Sequence, residues 1–110
     1  MKKLTKEQLA TRDADLDWLI AQKFYYARSR SVWDDFSPTT DWIEGGRLIE
    51  KYKITIQWFD PKVNESSSGE WMGGLTICNQ QGIEYFCAAY ANTPLLAAMT
   101  ALAKSFIEIN

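Results

Sequence analysis

Four groups of side chains have the types and spacing for chemistry. Asp34, Asp35, Asp41 and Glu44 crowd carboxylates into one short stretch, and paired carboxylates can move protons or hold a divalent cation. Helix capping by Asp41 and solvated turns account for them without a metal or an acid–base pair. Gly45-Gly46-Arg47, preceded by Thr39, Thr40 and Trp42, offers backbone N–H groups and a guanidinium to an anion, the parts of a phosphate or nucleotide cradle. The Lys-Ser/Thr of a P-loop is missing, so NTP hydrolysis through that motif is excluded. Asp13-Ala14-Asp15-Leu16-Asp17 opens like a calcium loop, yet Trp18 and Phe24 stand where the loop needs glycine and glutamate. It reads as an acidic helix face. Trp33, Phe36, Trp42, Trp58 and Trp71 could stack a base, anchor a partner or fill a core. Trp33, just after Ser29-Arg30-Ser31-Val32 and before two aspartates, is expected to be the most exposed.

Histidine is absent, which removes Ser-His and Cys-His nucleophiles and His-ligated zinc. Ser66-Ser67-Ser68 falls in a predicted loop with nothing to activate a hydroxyl. No catalytic set emerges, no cofactor or metal is expected, and the chain reads as a non-enzyme.

The elements that must position these residues follow from periodicity. Residues 5–26 read as a helix with a Thr5/Gln8 capping box and an apolar stripe of Leu9, Leu16, Leu19, Ile20 and Phe24. Residues 27–40 read as an ordered loop, because Val32, Trp33 and Phe36 are anchors that a linker would not carry. A short turn over Trp42-Ile43-Glu44 is expected, interrupted by Gly45-Gly46 and followed by two helical turns over residues 47–52. Alternation predicts strands over 54–59, 71–78 and 83–90, with a loop from Asp60 to Gly69 and a turn at Asn79-Gln80-Gln81-Gly82. Gly73-Gly74 marks a bulge or a close backbone approach. Asn92 or Thr93 caps a last helix with Pro94 at its first position. That helix is apolar nearly all round, with Thr100, Lys104, Ser105 and Glu108 as a narrow wet stripe, which suggests a homodimer. The class is α+β: one domain over 1–110, with a three-stranded antiparallel meander between N-terminal and C-terminal helices.

The chain of 110 residues carries a net charge of −2, with cations in excess over residues 1–30 and anions over the remainder. No global basic field draws nucleic acid or a membrane surface. The start lacks the apolar core of a signal peptide, and no run approaches the about 20 apolar residues of a membrane span, so a cytoplasmic protein is expected. With the turn at 79–82, Cys87 falls opposite residue 74 or 76, too far from Cys78 for a disulfide. Both are read as reduced, packed thiols.

Three segments resemble one set of proteins. Asp15-Leu16-Asp17-Trp18-Leu19-Ile20-Ala21 resembles the opening helix of small NinX-like phage proteins. Phe36-Ser37-Pro38-Thr39-Thr40-Asp41-Trp42-Ile43-Glu44-Gly45-Gly46-Arg47-Leu48-Ile49-Glu50 is similar to their central stretch, and Thr93-Pro94-Leu95-Leu96-Ala97-Ala98-Met99 to their closing one. Arg47 stands where that set usually has proline. The order and spacing also resemble the phage α/β/α-sandwich domain family. The resemblance implies a tailed-phage or prophage origin and a sandwich-like fold, and supplies no catalytic residue. Joined to the residues, it leads to an expected role in binding within the bacterial host: a counter-defence protein that sequesters a nucleotide-like signal or inhibits a host protein. The expected contacts are Trp33, Phe36, Thr39, Thr40, Trp42, Gly45, Gly46 and Arg47. A structural homo-oligomer is the alternative. A weak RNA-binding module, suggested by the helix–strands–helix order, is disfavoured by the single lysine of the last helix.

Overall fold

The computed structural model describes residues 13–59, 70–78 and 80–109. The Thr5/Gln8 capping box and the loop from Asp60 to Gly69 lie outside them. Helix α1 spans Ala14–Tyr25 and does not run through residue 13 as the expected 5–26 helix would: Asp13 is extended and is the N-cap, accepting from the Leu16 N–H at 3.0 Å. A single 3-10 turn covers Arg30–Trp33. Helix α2 spans Trp42–Tyr52, strands β1, β2 and β3 span Thr55–Phe59, Glu70–Cys78 and Glu84–Ala91, and helix α3 spans Pro94–Ile109. The strands form an antiparallel sheet in the order β1-β2-β3, so the α+β meander expected from the sequence is the one observed.

Two corrections concern the middle of the chain. Helix α2 runs unbroken through Gly45-Gly46, where a break was expected. The flexibility of glycine is outweighed because the Asp41 carboxylate caps Ile43 N–H at 2.9 Å, and the Gly45 N–H already donates to Asp41 O at 2.8 Å. The β2–β3 turn is one residue longer than expected. Cys78 pairs with Glu84 and Cys87 with Leu75, leaving Ile83 outside the strand. Gly82, at φ 81°, supplies the left-handed residue of that turn. One residue of register flips every side chain, and this extra residue places Cys87 in the core, donating to Ala101 O at 3.7 Å. Neither cysteine forms a disulfide, as expected, but Cys78 is exposed rather than packed.

The expected bulge in β2 is absent, since pairing continues through both glycines. The alternative, close approach, is what they provide. A Cβ on Gly73 would lie 2.6 Å from the backbone of Ala97 and Ala98, so α3 settles onto β2 through small residues. Its remaining sides meet α1 and α2. Leu95, Ala97, Ala98, Met99, Ala101, Leu102 and Ala103 are all buried, and so is Ser105, which donates to Leu102 O at 2.6 Å instead of joining a wet stripe. Over its described side chains, the apolarity of α3 from Leu95 to Ala103 is therefore largely used inside one chain. Ile20, Leu48, Leu75, Ile77, Cys87, Met99 and Leu102 form the centre of the core. Thr93 caps α3 by accepting from Leu96 N–H at 3.2 Å.

The sheet face opposite α3 carries Phe59, Met72, Gly74, Phe86 and Tyr90. The Phe59 and Tyr90 rings meet at 5.5 Å between centroids from the two outer strands, across Met72, which is buried. Phe86 lies over Gly74, where a Cβ would sit 2.2 Å from its ring.

Candidate functional site

The segment from Ser37 to Asp41 is a buried polar turn. Thr40 and Asp41 N–H both donate to Ser37 O, at 3.1 and 2.7 Å. The Ser37 N–H donates to Glu44 Oε2 at 2.9 Å, and the Ser37 and Thr40 hydroxyls bond to each other. From across the fold, Asp17 holds the turn in place. Its carboxylate is fully buried and accepts from the Thr39 N–H at 2.9 Å and from the Thr39 hydroxyl at 3.0 Å. The Thr39 oxygen in turn accepts from Asp13 N–H at 3.3 Å. Helix α2 lies against this turn through Gly45: a Cβ there would come within 2.5 Å of Pro38 O and 2.6 Å of Leu95 Cδ2.

This framework sorts the eight predicted contacts. Thr39 and Gly45 are buried and Thr40 is half-buried; all three belong to the scaffold. Trp33 and Phe36 join Tyr25 in a three-ring cluster with centroids 5.1 to 5.8 Å apart. Trp33 is thus half-buried, and Trp42 and Trp58 are the exposed tryptophans. Trp58 and Trp71 face each other across β1 and β2 at 5.2 Å. Trp42, Gly46 and Arg47 lie on the outward side of α2.

That outward side also holds Ile43, which the sequence reading missed. Trp42 is 56% and Ile43 67% exposed, on the first turn of a helix whose opposite side, Gly45 and Leu48, is buried. Gly46 follows one turn later with no described atom within 4 Å of where a Cβ would stand, then Arg47 and Glu50. Read as one continuous helix, the 3.6-residue period puts Ile43 opposite Leu48; the presumed break at Gly45-Gly46 hid that.

The site's electrostatics centre on Tyr25. Burial pushes its hydroxyl above the usual phenol range, the Lys51 and Arg47 cations pull it down, and Tyr52 and Glu44 add to the rise. Arg47 and Lys51 are therefore cations whose charge acts on the Tyr25 hydroxyl. An anion cradle at the glycines is not formed. Gly45 and Gly46 sit inside the helix, and the Asp41 carboxylate occupies its N-terminus. A small recess of about 70 Å³ lined by Ala14, Trp18, Arg30, Trp33 and Asp34 includes only Trp33 of the predicted contacts. Arg30 is held by Asp15 at 3.0 Å. Among the described residues, no group of three or more His, Cys, Asp or Glu is placed to hold a metal ion. No described helix is long and apolar enough to cross a membrane.

The fold and site define a small α+β protein with a partly apolar helix surface backed by a buried, hydrogen-bonded turn. The chain belongs to the family of NinX of bacteriophage P22, whose model matches residues 5–105. No match was found among curated proteins or among solved structures.

Proposed function

We propose that this phage-family protein acts without catalysis, by docking the outward side of α2 onto a protein of the bacterial host and inhibiting it, as a counter-defence factor. Gly46 carries the reading. A glycine inside a helix costs about 1 kcal/mol relative to alanine; Gly46 is half-buried, and among the described residues none lies close enough to a Cβ there to require glycine. A partner's backbone or a bulky partner side chain approaching the helix between Ile43 and Arg47 does need it. Trp42 and Ile43 supply the apolar anchor and Arg47 the polar fork that concentrate binding energy at interfaces. The buried turn behind them holds the helix backbone in place, so the ordering cost of association falls on the side chains.

The discriminating experiment replaces Gly46 with tryptophan. No described atom lies within 4 Å of a Cβ at this position, so the variant is expected to fold, which its thermal melt checks, while the bulk blocks a partner. A photo-crosslinker at position 43, in cells producing the protein, should capture one host protein in the wild type. Capture should be lost with Gly46→Trp and reduced with Trp42→Ala and Arg47→Ala. Equal capture by the wild type and all three folded variants removes α2 as the docking surface. Native mass spectrometry showing a bound molecule of a few hundred daltons, with no host protein, moves the assignment to small-ligand sequestration.

A further inference from the structure

The far edge of the sheet is formed by a different element from α2. Strand β3 is an outer strand, and its residues Tyr85-Phe86-Cys87-Ala88-Ala89-Tyr90-Ala91 contain no charge, proline or glycine. A neutral, aromatic-rich edge of this kind is a template for another strand. The segment is also nearly self-complementary. Antiparallel pairing of two copies centred on Ala88 sets Phe86 opposite Tyr90 of the other copy, twice, on the open face where Phe86 and Tyr90 are 52% and 51% exposed. On the helix-covered face the same register sets small Cys87 opposite Ala89. Cross-strand aromatic pairs are among the more favourable pairings in a sheet, and the product would be a continuous six-stranded sheet.

The centre of that register is occupied. Lys104, on α3, reaches to the edge strand, where its Nζ donates to Ala88 O at 3.3 Å. Two copies paired about Ala88 would have to displace both ammonium groups and would bring them together near the two-fold axis, a like-charge contact. We propose that the β3 edge is a self-pairing surface for a second copy of this chain, held closed by Lys104.

Lys104 is exposed, so Lys104→Met removes the charge and the hydrogen bond while keeping an unbranched apolar stem. The variant is expected to double in mass with rising concentration by analytical ultracentrifugation. Amide exchange over residues 84–91 should slow in step with the mass, relative to wild type at equal concentration. Lys104→Arg should retain the wild-type mass and exchange. Adding Phe86→Glu to Lys104→Met should return it to the wild-type mass. A Lys104→Met protein that matches wild type in mass and in β3 exchange at every concentration overturns the proposal. So does one that doubles in mass with β3 exchange unchanged, or one whose association survives Phe86→Glu.

Discussion

Replacing Asp17 with alanine tests the framework behind the candidate site. Both carboxylate oxygens accept from Thr39, at 2.9 and 3.0 Å, and the side chain is fully buried. A hydrogen bond to a charged group contributes about 1.5–3 kcal/mol, and a buried donor left unsatisfied costs about 1–3 kcal/mol. Removing the carboxylate strands the Thr39 N–H and its hydroxyl together. Relief of the carboxylate's own burial offsets part of this, which leaves a net loss of about 3 kcal/mol. For a domain of this size each kcal/mol moves Tm by roughly 4–8 °C, so Asp17→Ala should melt on the order of 15 °C below wild type. Asp17→Asn keeps one acceptor for the Thr39 N–H and should lose about 1 kcal/mol. Urea unfolding of Asp17→Ala, Thr39→Val and the double variant gives the coupling directly. The two substitutions share one interaction, so the double variant should be no more than about 1 kcal/mol worse than the worse single. A loss below about 1 kcal/mol for Asp17→Ala, or additivity of the two within about 0.5 kcal/mol, would refute the view that this pair holds the 37–41 turn.

Further outcomes are expected. Adjacent glycines should respond with opposite sign: Gly45→Ala should destabilise by about 2 kcal/mol or more through its clash with Pro38 O and Leu95. Gly46→Ala should stabilise by about 1 kcal/mol, and paired thermal melts decide both. Burial raises the Tyr25 phenol in the folded state, so the folded protein holds that proton where the unfolded chain has lost it. Stability from this group is complete below the unfolded value near 10 and falls as pH rises through and above it. Tyr25→Phe should flatten the alkaline loss of stability measured by urea unfolding between pH 9 and 11, pH values set by that reference pKa. Lys53 ends α2 at φ 56°, so Lys53→Gly should raise stability by about 0.5–1 kcal/mol in the same melts.

What could be read from the sequence was mostly local. Thr93-Pro94 announces α3, the alternation from Ile54 announces β1, and the meander follows from short turns. Asp41 before Trp42 announces a helix start, and the two glycines after it, judged by propensity, suggest a break. The Asp41 cap outweighs that propensity, and the reason for glycine at 45 is tertiary: it lets α2 rest on Pro38 and Leu95. Asp17 was similarly hidden. In a run of alternating aspartates it reads as solvated, and its partner stands 22 residues away. Arg47 and Trp42 were picked out for an anion site, and the structure keeps them at the surface while spending Thr39 and Gly45 on the scaffold. The cysteine register turned on whether Ile83 belongs to the strand or the turn, a choice its apolar side chain misdirects, because Ile83 is exposed.

The two thiols sit on opposite sides of the sheet and at opposite extremes of accessibility: Cys78 is exposed and Cys87 is buried against Ala101. This gives the chain a built-in pair of chemical clocks. A thiol reagent should consume Cys78 at once, and thereafter its progress counts only the events that part α3 from the sheet. The slow phase, followed under native conditions, reports the free energy of that separation. It does so without denaturant, and a partner bound to the helical side that steadies the core would register as a slower clock.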